Sequence, residues 1–71
     1  MMYLFKATIK HKTLDTIEPA ELITIANNYR SAFSKFNKQI DDENLIVTKI
    51  ELIGINVAVD ACGKEVFKLI K

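Results

Sequence analysis

At 71 residues the chain is sized for a single domain, residues 1–71, near the lower limit at which a core folds unaided. A hydrophobic fraction of 49% with 27% charged residues excludes a disordered chain, and a formal net charge of +1 lacks the basic excess of a dedicated nucleic-acid binder. One cysteine, Cys62, excludes an internal disulfide and suits a reducing compartment.

Met2 to Lys12 alternates, with Tyr3, Phe5, Ala7 and Ile9 on one side and Leu4, Lys6, Thr8 and Lys10 on the other. That two-residue period predicts a strand with one buried face. Thr13–Glu18 breaks the pattern and leads into a stretch from Pro19 to about Gln39. Its residues Leu22, Ile25, Ala26, Tyr29, Ala32, Phe33, Phe36 and Ile40 recur at steps of three and four. Such a stripe predicts a long helix with one buried face. Thr16 or Glu18 would cap it, and Pro19 suits a first turn, where its missing N–H would be unpaired anyway. At 1.5 Å per residue the helix would run about 30 Å, the length of a nine-residue strand.

Asp41, Asp42, Glu43 and Asn44 read as a solvated acidic connection, because they lack the alternating oxygen ligands and central glycine of a calcium loop. Leu45–Ile53 returns to strand character, with Ile46, Thr48, Ile50 and Leu52 toward the helix and Val47, Lys49 and Glu51 away. Gly54 marks a turn or sharp bend before a third strand at Ile55–Asp60, with Val57 and Val59 inward. Asp60-Ala61-Cys62-Gly63-Lys64 then predicts a tight hairpin closing on a glycine. In the strand that follows, Glu65–Ile70, Phe67 and Leu69 face inward and Val66, Lys68 and Ile70 outward. A helix over Lys64–Lys71 competes with it, but the hairpin chemistry and β-branched content favour the strand. The expectation is an α+β fold in the order β-α-β-β-β, with one long helix packed on one face of a four-stranded antiparallel sheet.

Signals of catalysis are sparse. His11 is the only histidine and stands at a strand end, with neither a triad nor a ligand set around it. Cys62 has no CxxC partner, and two glycines cannot build a phosphate-cradling loop. The aromatic residues Tyr29, Phe33 and Phe36 read as core. No cofactor, metal or catalytic residue is expected, and the chain is expected not to be an enzyme. Met1–Phe5 is too short an apolar run for a leader, and no stretch nears the roughly 20 residues of a membrane span. A soluble cytoplasmic protein is expected.

Surface remains as the place to act. The sheet face away from the helix would carry Lys6, Lys10, Val47, Lys49, Val66, Lys68 and Ile70, an apolar centre rimmed by lysines. This composition suits a protein partner, or a second copy of the chain in a homo-oligomer. The alternative is a nucleic-acid-binding accessory protein in which lysines 6, 10, 49 and 68 neutralise phosphates. No aromatic stacking platform accompanies them on that face.

The strand–helix–three-strand order, the tail Ile46–Ile70 and the small size resemble small phage or mobile-element proteins of the anti-CRISPR inhibitor type. The resemblance is one of architecture over most of the chain. It implies a non-catalytic inhibitor or adaptor of a host protein or protein–RNA complex, and it assigns no residue a role.

Overall fold

The computed structural model describes residues 2–14, 16 and 18–70. Asp15 and Ile17 of the first predicted connection, and Met1 and Lys71 at the ends, lie outside the described residues. The elements are β1 (Tyr3–His11), β2 (Ala20–Ala26), α1 (Tyr29–Gln39), β3 (Leu45–Val59) and β4 (Glu65–Leu69). All neighbours are antiparallel, in the spatial order β2-β1-β3-β4. The sheet curls into a half-barrel with the helix on its concave side. The α+β class, the single helix and the four-stranded antiparallel sheet match expectation. The order does not: it is β-β-α-β-β.

The difference arises at two places. The front half of the predicted helix, Ala20–Ala26, is a strand, so the helix has 11 residues and is about 16 Å long. Leu22, Thr24 and Ala26 alternate as well as they step helically, and the run Ile23-Thr24-Ile25 is β-branched throughout. Asn28 then starts the helix in place of Thr16, Glu18 or Pro19. Its backbone is extended (φ −161°, ψ 172°), and its side-chain oxygen accepts the Ser31 N–H at 2.8 Å.

The second place is Gly54, which is no turn. It sits buried inside one continuous 15-residue strand, β3. A Cβ there would stand 3.1 Å from Leu4 Cβ and 3.4 Å from the Lys68 carbonyl oxygen, so glycine lets Leu4 lie flat on the backbone.

Register explains why the phase of β3 is hard to read. Lys49 pairs with Thr8 but Val47 with Ile9, leaving Thr48 as an extra residue; Gly54 pairs with Leu4 but Leu52 with Phe5, leaving Ile53 as another. Two bulges turn simple alternation into steps of two and three, so that Leu45, Val47, Ile50, Leu52 and Ile55 share the face of the inward β1 residues. Ile46 and Thr48, expected to face the helix, are exposed, and Val47, expected outside, packs on the core. Each bulge also bends the strand and increases its twist, which curls the sheet.

The core is Phe5, Ala7, Ile9, Ala26, Ala32 and Phe36. Three alanines bring strand and helix backbones close, and two phenylalanines fill the remaining volume. Leu22, Ile40, Leu45, Val47, Ile50 and Leu52 pack around them. Tyr29 and Phe33, expected on the buried stripe, are 54% and 48% exposed. Tyr29 still meets Phe5 edge-on at 4.9 Å between ring centroids.

Candidate binding surface

The convex face carries part of the expected site. Lys6 lies directly opposite Glu51 and diagonal to Glu21, and its ammonium is 3.1 Å from Glu21 and 4.0 Å from Glu51. Lys49 reaches Glu51 at 3.5 Å. A hydrogen bond to Glu21 and the field of both carboxylates raise the Lys6 pKa above its ordinary 10.5. Lys10, exposed, lies opposite exposed Ile46. Lys6 is therefore matched to carboxylates on both neighbouring strands, and Lys49 to Glu51 two residues along its own strand, an arrangement that aligns the ladder more than it stabilises it. Glu21, read as part of the helix in the sequence, completes this cluster only because Ala20–Ala26 is a strand.

The remaining expected residues, Val66, Lys68 and Ile70, cluster elsewhere. Pairing of β3 with β1 ends at Tyr3 and Ile55, with one further hydrogen bond from the Asn56 N–H to the Met2 carbonyl. Beyond that point Asn56–Val59 pairs with Glu65–Phe67 alone as a two-stranded arm, whereas Lys68 and Leu69 lie beside Ile55 and Gly54, where β1 still pairs with β3. The molecule measures 45 × 24 × 20 Å, and its long axis is close to the ~50 Å span of a 15-residue strand.

The arm is held by its turn. Asp60 Oδ1 accepts the N–H groups of Cys62 at 2.8 Å and Lys64 at 2.9 Å. The Asp60 N–H donates to the Lys64 carbonyl at 2.8 Å, and Gly63 takes φ +82°. This is a type I turn closed by a left-handed glycine, the hairpin that Asp60–Lys64 predicts.

Along the arm Val57, Val59 and Val66, and at its base Leu69 and Ile70, are all exposed, Val59 by 62% and Leu69 by 66%. Val57 is a third bulge residue, between the pairs Asn56–Phe67 and Ala58–Val66. The register places Leu69 opposite Gly54, on the convex side with Leu4, and Phe67 opposite Asn56. Lys68 pairs with Ile55, on the concave side with Tyr3. The expected facing of β4 is thus reversed: Phe67 and Leu69 point to the convex side, Lys68 to the concave. The exposed apolar side chains of this arm were legible only in part, because Val57, Val59, Phe67 and Leu69 read as inward.

Two open hollows flank α1. One, of about 290 Å³, is lined by Tyr3, Phe5, Tyr29 and Leu52 with the amides of Asn27 and Asn28. The other, of about 340 Å³, lies between Ile9, Leu22, Ile40 and Leu45 at the far end of the helix. His11 is occupied locally: its Nδ1 accepts the N–H groups of Thr13 at 3.2 Å and Leu14 at 3.1 Å, which folds the chain back after β1. Among the described residues no group of His, Cys, Asp and Glu is placed to hold a metal ion. Among the described residues no helix is long and apolar enough to cross a membrane. Comparison with known protein families, with curated proteins and with solved structures finds no match to this chain.

Proposed function

We propose that this chain is a non-catalytic protein-binding module that contacts its partner through the apolar β3–β4 arm. The observation that carries this is the arm itself. A ribbon that is two-stranded beyond Ile55, with five exposed aliphatic side chains along it and at its base, gains little from folding alone and gains more when a partner covers it. Val66, Lys68 and Ile70 belong to this contact, with Val57, Val59 and Leu69 supplying most of its apolar area. The role that fits is an inhibitor or adaptor that acts by binding another protein. The β-α-β-β-β order behind the likeness to phage inhibitors is not the order of this chain, so this role rests on the arm and not on that likeness.

A nucleic-acid partner is disfavoured by the pairing of Lys6 with carboxylates across the strands and of Lys49 with Glu51 along β3. The test is a photo-crosslinking residue placed at Val59 in the full chain, with Ile23 on the convex face as control, used in extract of the source organism. A protein adduct specific to Val59 that survives about 0.5 M salt is expected, since an apolar contact is little screened. Absence of such an adduct, or a nucleic-acid adduct that disappears at that salt, overturns the proposal.

A further inference from the structure

The sheet has two edges, and they are treated differently. β2 follows directly on Pro19, and Lys35 Nζ of α1 donates to the Ile25 carbonyl at 2.5 Å, so a proline borders that edge and the helix takes one of its carbonyls. β4 has no proline, and among the described residues no further strand pairs with it beyond β3. The Ile70 N–H donates to the Ile53 carbonyl, and the Lys64 carbonyl accepts from Asp60. Even-numbered residues of β4 therefore direct their backbone groups to β3. Glu65, Phe67 and Leu69 direct theirs out of the sheet, because backbone groups alternate along a strand.

We infer that β4 pairs with β4 of a second copy, antiparallel about a twofold axis through Phe67, joining the two sheets into one. Chemistry on this edge selects both occupant and register. A twofold axis normal to the sheet sets residues of the same face opposite each other. Centred on Phe67, it places Phe67 against its counterpart and Glu65 against Leu69, and every outward N–H and carbonyl of the strand is used, about six hydrogen bonds. Centred on Val66, it sets Lys64 against Lys68 twice; centred on Lys68, it sets that lysine against itself. Only the Phe67 register satisfies the whole edge without opposing like charges. It also leaves both faces of the arm open, so it stands independently of the partner proposed above.

The experiment is sedimentation velocity on the full chain under reducing conditions, from about 1 to 500 μM. The mass is expected to rise from 8.1 kDa toward twice that value. Phe67→Pro removes an N–H that β3 does not use, so circular dichroism should be kept while the dissociation constant rises about tenfold or more. Should that variant lose its fold, the register is tested by charge. Val66→Lys sets the new lysine opposite Lys68 and should weaken the dimer, and adding Lys68→Glu should restore it. A wild-type chain that stays monomeric over the range overturns the inference, as does a folded Phe67→Pro chain that still dimerises, or a double variant that fails to recover. A monomeric wild type whose protein adduct at Val59 persists would overturn self-pairing alone and leave the proposed function standing.

Discussion

Replacing Phe36 by alanine should cost far more than the same change at Phe33, although both sit on one helix three residues apart. Phe36 is fully buried and Phe33 is 48% exposed. Truncating a buried phenylalanine costs about 3–5 kcal/mol once the cavity is included. That equals the ~3–5 kcal/mol a domain of this size commands in total. Phe33 loses only its half-buried area, about 1 kcal/mol at 25 cal/mol per Å². In urea, with a slope near 1 kcal/mol per molar, Phe33→Ala should lower the midpoint by about 1 M or less. Phe36→Ala should leave no folded baseline. Phe36→Leu, at about 1–2 kcal/mol, gives a measurable intermediate case if the alanine variant cannot be purified. Equal midpoint shifts at the two positions would refute the placement of α1, since they are what a longer helix burying the whole stripe from Leu22 to Ile40 would produce.

Asn28→Ala removes the acceptor of the Ser31 N–H and should lower stability by about 1 kcal/mol in urea, with Asn28→Asp close to wild type. Asp60→Ala strips the hairpin of the acceptor for the Cys62 and Lys64 N–H groups, at about 1–2 kcal/mol. Because the arm projects from the core, amide exchange should quicken at Val59 and Glu65 more than at Ala7. Gly54→Ala should destabilise by about 1–2 kcal/mol through its contact with Leu4, and Leu4→Ala in the same chain should recover part of that loss. The Lys6 pKa is raised in the folded state, so its contribution is complete below the ordinary 10.5 and is lost as pH climbs through the folded value. A Lys6→Met chain should therefore lose less stability than wild type above about pH 10.5, measured by urea midpoints across that range.

Elements whose chemistry is local were legible in the sequence. β1 declares itself by seven residues of unbroken alternation from Tyr3 to Ile9, and the hairpin by an aspartate, a glycine and the spacing between them. The Ala20–Ala26 segment was not legible by period, because Leu22, Ile25, Ala26 and Tyr29 satisfy helical spacing while Leu22, Thr24 and Ala26 satisfy strand spacing. What decides is local: three consecutive β-branched residues, then Asn27-Asn28, of which the second is a capping side chain. In β3 the apolar residues are placed correctly for a bulged strand and wrongly for a regular one. Steps of two, three, two and three from Leu45 to Ile55 imitate neither a clean strand nor a helix. Nothing in a single residue type announces a bulge; it appears only when β3 is laid against β1.

The same bulges decide where the candidate surface lies. Thr48 and Ile53 rotate β3 by one residue each, which draws Val47 out of the expected face and into the core. They also bend the strand around α1, so an 11-residue helix is enough to cover the concave side near β1 and β2. What the helix does not reach is the last part of β3 and all of β4, where Val57 introduces a third change of phase. There the apolar residues that would have faced a longer helix have nothing above them. An arm of this kind is costly to keep in isolation, since aliphatic surface exposed on both faces of a two-stranded ribbon weakens the folded state relative to a buried equivalent. Asp60 and Gly63 nonetheless hold its turn rigidly, with two side-chain hydrogen bonds and one left-handed glycine. A stiff turn beneath uncovered valines and leucine is the combination expected of a strand pair held ready for contact, because ordering it in advance lowers the entropy lost when a partner binds.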